Sequence, residues 1–261
     1  MIEQRVQELK DFIAGNDGRN VADRRFARAV DELIDSIFDD ISRVRAIPSR
    51  TLFDLFVIKV LYVGRRSRHA DVIEYLGALL DRYLAVHNLF PVGRDGKMHR
   101  LYFSDILDDD KREQFFRSRY EAYRSYADSA LFLSGVFPSG LARRRPGNRT
   151  PLRRRRASLV DVGYYVSTGK TMYRMAAGEA MAEAMHERAT LSKLSEHFEV
   201  YRDALSEMSA RYIIGFDRSV MTDKMLDSLN RYRASREERD LESARRYAEL
   251  LEIDTAELER F

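Results

Sequence analysis

The chain has 261 residues, of which 44% are hydrophobic and 33% charged, with 5 Pro, 13 Gly and a formal net charge of +3. That balance fits a compact, heavily solvated folded chain and excludes a disordered one. With no cysteine, a disulfide framework, a thiolate nucleophile and any Cys-built zinc or iron–sulfur centre are excluded as well.

In chain order, the charged, amphipathic stretch Met1 to Ala14 predicts a first helix. Its beginning, Met1 to Lys10, lacks the basic leader and apolar core of a signal peptide, so a cytoplasmic protein is expected. Phe26, Val30, Leu33, Ile37, Ile41 and Val44 step by three and four, which predicts an amphipathic helix from near Asn20 to before Pro48. Ser49 is placed to cap the next helix, which runs to about Val63 with Gly64 as its stop. That helix contains the most apolar run, Leu52 to Val63. The run is too short to span a bilayer and is interrupted by Asp54 and Lys59, so it reads as a buried core helix and no membrane association is expected. Val72, Leu76, Leu79, Tyr83 and Val86 then mark a fourth helix.

The turn signal Arg94-Asp95-Gly96-Lys97 lies between Leu89-Phe90-Pro91-Val92 and Met98 to Phe103, and predicts a small β-hairpin near residues 89–103. Ser104 starts a short helical turn. A long helix is expected from about Lys111 to Gly135, with Phe116, Tyr120, Tyr123 and Ala127 on one face. After Pro138 the chain enters Arg143 to Arg156, and beyond it Ser158 is placed to cap another long helix with Asp161 in its first turn. Gly169, Tyr173, Ala176, Ala177, Ala180 and Ala184 give this helix a small-residue face that another helix must approach closely. Leu194, Phe198, Tyr201, Leu205, Met208 and Tyr212 define the next helix, ending near Gly215. Thr222 and Ser235 cap a final pair, the second with a Ser235 to Glu238 capping box, and Leu241, Ala244, Ala248 and Leu251 face inward.

The expected fold is therefore all-α, a multi-helix bundle of about nine helices with one small β-hairpin. A single helical domain over 1–261 is the expectation, with a sub-division into 1–142 and 157–261 around the Arg-rich loop 143–156 as the alternative.

That loop is the strongest functional signal. Arg143, Arg144, Arg145, Arg149, Arg153, Arg154, Arg155 and Arg156 place eight guanidinium groups in fourteen residues with no acid, whereas the rest of the chain carries 37 basic against 42 acidic residues. Guanidinium stays charged at physiological pH and binds phosphate bidentately, while the Pro and Gly of the segment oppose helix. A polyanion, above all nucleic acid, is the expected partner, through phosphate contacts that are salt-dependent and largely independent of sequence. No aromatics are interleaved, which argues against a specialised single-strand binder. The alternative is a protein-interaction scaffold, self-associating or docking the loop on an acidic partner.

Four weaker constellations stand beside it. Ser167-Thr168-Gly169-Lys170-Thr171 ends like a phosphate-binding loop, but Tyr164 stands where that motif needs Gly, and the segment falls inside a predicted helix. Arg82 and His87 have an Arg-x4-His spacing that resembles the HEPN ribonucleases, which would imply action on RNA. However, Tyr83 follows the Arg where that family has a small polar residue. Glu183 and His186, with Glu179 one turn earlier, have the Glu-x-x-His spacing of di-metal bundles but lack the second motif such a centre requires. Neither a metal nor a cofactor is therefore expected, and the chain reads as non-enzymatic. Asp128 lies in a stretch apolar enough to bury it, so it needs a partner. Lys170, Tyr164, Tyr165 and Tyr173 are the candidates.

Asp128-Ser129-Ala130-Leu131-Phe132-Leu133-Ser134-Gly135-Val136-Phe137-Pro138, followed by Tyr164-Tyr165 and Gly169-Lys170-x-x-Tyr173, resembles segments of uncharacterised bacterial all-helical proteins, over about residues 120–177. In that pattern a Gly precedes the Asp, where this chain has Ala127. The resemblance implies a bacterial, cytoplasmic helical protein and no particular chemistry.

Overall fold

The computed structural model describes residues 2–38, 46–85, 88–89, 91–93, 96–99, 102–138, 161–213 and 218–250. These residues form thirteen α-helices and no β-strand: α1 (Ile2–Ala14), α2 (Arg24–Phe38), α3 (Ser49–Val57), α4 (Ala70–Tyr83), α5 (Phe103–Leu107), α6 (Asp109–Arg112), α7 (Arg119–Val136), α8 (Val162–Gly178), α9 (Ala180–Ala184), α10 (Arg188–Glu196), α11 (Phe198–Met208), α12 (Arg218–Ser235) and α13 (Glu238–Leu250). Two π-helical turns, Ile58–Gly64 and Ser209–Ile213, extend α3 and α11. The expected all-α class holds. The β-hairpin does not, because the described residues of 89–103 contain only one antiparallel bridge, Val92 to Met98. Its turn is closed by Gly96 N–H donating to the Gly93 carbonyl at 2.9 Å. Val92 and Met98 are both exposed, so no buried face rewards the pairing of longer strands.

Local chemistry decides the helix ends, and several differ from the expected ones. Asp23, whose carboxylate accepts the Phe26 N–H at 2.8 Å, starts α2 later than the apolar spacing implied. Ser49 does not cap α3, since its hydroxyl donates to Asp81 Oδ1 at 2.5 Å. The long helix expected from Lys111 is split, because Ser118 accepts the Glu121 N–H at 3.1 Å while Glu121 Oε2 accepts the Arg117 N–H at 3.0 Å. With Ser118 as its N-cap, a new helix, α7, starts at Arg119. The described cap of α8 is Asp161, which accepts the Tyr164 N–H at 2.8 Å; Ser158 lies outside the described residues.

The buried core runs through α1–α5, α7–α11 and the π turn after α3. At its centre α7 packs against α8, and α11 packs on α7. The small-residue face expected on α8 is what permits this approach. A Cβ on Gly169 would lie 2.7 Å from ring carbons of Phe198 and 3.1 Å from the Ala130 Cβ. α7 repeats the device at Gly135, where a Cβ would meet the Leu205 Cβ at 2.8 Å. α12 and α13 pack against each other, burying Met225, Leu229, Leu241, Ala244 and Ala248, as the spacing of the last three implied. Among the described residues, no helix is long and apolar enough to cross a membrane.

Candidate functional site

Asp128 organises the most elaborate polar cluster of the described residues. It lies midway along α7 with 0% of its surface exposed, so its carboxyl must be satisfied internally. Oδ1 accepts the hydroxyl of Tyr75, from α4, at 2.6 Å and that of Tyr173, from α8, at 2.8 Å. Oδ2 accepts Arg82 Nη1 at 3.1 Å, and Arg124 Nε stands 3.9 Å away. Burial pushes the carboxyl above its ordinary range, against the charges of Arg124 and Arg82 and the two hydroxyl bonds. Burial and the Asp128 charge drive both tyrosines well above theirs, which keeps them protonated as donors.

The cluster extends outward through Arg124. Its Nε donates to the Tyr75 hydroxyl at 3.1 Å, its guanidinium lies 5.3 Å from the centre of the Tyr75 ring, and its Nη1 pairs with Glu187 Oε2 at 3.1 Å. The Tyr120 hydroxyl donates to the same Glu187 oxygen; burial and that bond raise the phenol to about 12. Three core helices and the residue preceding α10 are thereby tied to one carboxylate. Of the partners expected for Asp128, Tyr173 is confirmed and three are corrected. Lys170 pairs instead with Glu199 at 2.9 Å. The Tyr164 hydroxyl accepts the Phe103 N–H at 3.2 Å, and the Tyr165 ring packs edge-on to that of Tyr164. Arg124 had a legible signal, since it stands one helical turn before Asp128. Tyr75, Arg82 and Glu187 come from distant elements and had none.

The other sequence candidates are dispersed. Arg82 turns inward to Asp128, and His87 lies outside the described residues. Glu183 pairs with Arg188 at 2.9 Å, Glu179 precedes α9 as its N-cap, and no group of three His, Cys, Asp or Glu among the described residues could hold a metal ion. Ser167 to Thr171 lies within α8, where its backbone N–H groups serve the helix. All eight arginines of 143–156 lie outside the described residues.

A second buried carboxylate, Asp54 on α3, accepts Lys10 Nζ and Arg50 Nε, each at 2.8 Å. Glu74 on α4 pairs with the same two cations. Gly77 makes room for it, since a Cβ there would come within 1.9 Å of Asp54 Oδ1. Comparison of the chain with protein-family models, curated proteins and solved structures found no match.

Proposed function

We propose that the chain is a non-enzymatic helical binding protein that contacts a polyanion, nucleic-acid phosphates above all, through Arg143, Arg144, Arg145, Arg149, Arg153, Arg154, Arg155 and Arg156. The observation that carries this reading is the charge pattern. Eight arginines and no acid fall within fourteen residues of a chain whose remainder is more acidic than basic, and such local density is the footprint of phosphate contact.

The frame around the segment supports the reading. α7 ends before it and α8 begins after it. The two helices are joined by the Tyr173–Asp128 bond and by a 3.3 Å contact between the Tyr126 and Thr168 hydroxyls. The buried acid at the centre of that pair has both oxygens occupied by hydroxyls and guanidinium, which favours a framework role over a reacting one.

The test is binding to a random DNA duplex across a series of salt concentrations, for the intact chain and for a variant with Arg153 to Arg156 changed to Ser. Affinity should fall steeply with salt, and the variant should lose up to about 3.6 from the slope of log K against log salt, at about 0.9 per phosphate contact. Salt-insensitive binding, or a variant that binds like the parent, would overturn the reading.

A further inference from the structure

The described surface holds a second cationic feature, remote in sequence from the arginine segment and different in kind because its geometry is on view. The π turn after α3 ends at Gly64, and Arg65-Arg66-Ser67-Arg68-His69 then leads into α4, placing three guanidinium groups and an imidazole in five residues without an acid. Arg66 takes a left-handed φ of 53° to make this exit. That conformation is costly for a residue with a Cβ, and here its surroundings enforce it.

Those surroundings fasten the backbone from several sides. The Asn20 side chain donates to the Tyr62 and Ser67 carbonyls, each at 2.8 Å. The Gly18 N–H donates to the Arg68 carbonyl, and the Ser67 N–H to that of Leu61, both at 2.9 Å. Arg66 Nη1 itself donates to the Ala22 carbonyl. With the main chain thus committed, the side chains are the groups left to meet a ligand, on a base that is already ordered.

Two hollows open on either side of this segment and share Arg66 and Arg68 as a common wall. One, of about 290 Å³, is bounded also by Arg65, His69, His197 and Tyr201, among others. The other, of about 410 Å³, is bounded also by Gly18, Arg19 and Asn20. No acidic side chain lines either one. Of the nearby carboxylates, Glu207 pairs with the wall residue Arg65 and with Arg211, Asp71 is engaged with Lys193 and Thr190, and Asp17 with the Ala70 N–H. Arg68 is exposed, borders both hollows, and has no carboxylate partner among the described residues. His69 uses Nδ1 on the Tyr201 hydroxyl at 2.8 Å, which orients its ring 5.7 Å from the ring of His197.

We infer that the hollow between Arg65–His69 and His197 is a binding site for a phosphate group, held bidentately by Arg68 and flanked by the two imidazoles. The geometry favours an oxyanion for three reasons. Three arginines, two histidines and no acid border it, beside Leu61 and Val200; these residues come from two separate parts of the chain; and the guanidinium fork of Arg68 matches a tetrahedral dianion. The inference stands independently of the arginine segment at 143–156.

The experiment is titration of the full chain with inorganic phosphate, with chloride at matched ionic strength as the control, followed through the ring-proton NMR signals of its five histidines. Phosphate should shift the His69 and His197 signals saturably, and chloride should not. Arg68→Gln should weaken that binding at least tenfold and Arg68→Lys less, while both retain the parent's circular dichroism. The variant with Arg153 to Arg156 changed to Ser should bind phosphate here as the parent does. A second arm with a nucleoside monophosphate distinguishes the source: tighter saturation marks a nucleotide, and equal saturation marks phosphate itself. Shifts that chloride reproduces, an Arg68→Gln variant of unchanged affinity, or loss of binding in the 153–156 variant would each overturn the inference. None of these results depends on whether the 143–156 segment binds duplex DNA.

Discussion

The Tyr173 hydroxyl donates to Asp128 Oδ1 at 2.8 Å across the α7–α8 interface, sharing that oxygen with the Tyr75 hydroxyl at 2.6 Å. One fully buried carboxylate thus joins α7 to both α4 and α8.

Removing it should be costly. Asp128→Ala would leave two buried hydroxyls and a guanidinium without their acceptor, and should destabilise the fold by about 3–5 kcal/mol, the usual loss when one partner of a buried ionic cluster is deleted. Tyr173→Phe removes one donor and should cost about 1–2 kcal/mol. Urea unfolding reads both, and an Asp128→Ala variant within 1 kcal/mol of the parent would show that the network does not hold these helices.

Arg124 acts in this cluster through its shape as well as its charge. Its guanidinium lies over the Tyr75 ring while reaching the Tyr75 hydroxyl and Glu187, a combination that a lysine ammonium does not reproduce. Arg124→Lys should therefore lose about 1–3 kcal/mol of unfolding free energy despite keeping the charge. Retention of full stability would mean that charge alone matters there.

Gly169 and Gly77 are held to their size by their neighbours. Gly169→Ala would drive a methyl into the Phe198 ring, and Gly77→Ala would drive one into Asp54 Oδ1. Each should cost about 1–3 kcal/mol through overpacking, more than the gain in helix propensity returns. Gly178→Ala, with nothing within 4 Å of the added Cβ, is the control and should be neutral. Thermal unfolding of the three variants side by side decides the point.

Asp71 makes the fold sensitive to acid. Burial pushes its carboxyl up, but the hydrogen bonds from Lys193 and Thr190 and the Lys193 charge outweigh burial and hold it below its ordinary value. A carboxyl depressed on folding contributes stability above its unfolded pKa and loses that contribution as pH falls through the folded one. Stability should decline between about pH 5 and pH 3, and Asp71→Asn should be less stable at pH 7 with a shallower decline over that window. An unchanged slope in the variant would remove Asp71 from the acid response.

Much of this was legible in local pattern, and the misses share one cause. The three-and-four spacing of apolar residues located most of the helical segments. The buried fate of Asp128 followed from its apolar neighbours, and the close approach at Gly169 from the row of small residues around it. Helix ends were misread where a side chain at one position outcompeted the periodicity, as Ser118 does in splitting the helix expected from Lys111, or Asp23 in delaying α2. The hairpin near residues 89–103 shrank to one bridge because turn chemistry carries no information about whether the flanking segments have a face to bury.

The amino-acid sequence by itself determined the helical class, the absence of cysteine chemistry and the concentration of positive charge at 143–156, since each is a property of composition or of spacing along one segment. Only the tertiary structure decided which groups meet. Tyr75, Arg82, Tyr173 and Arg124 converge on Asp128, and Arg68, His69 and His197 come to border one hollow. Such convergence depends on how helices cross and pack, and residues far apart in the chain carry no mutual signal until the core has brought them together.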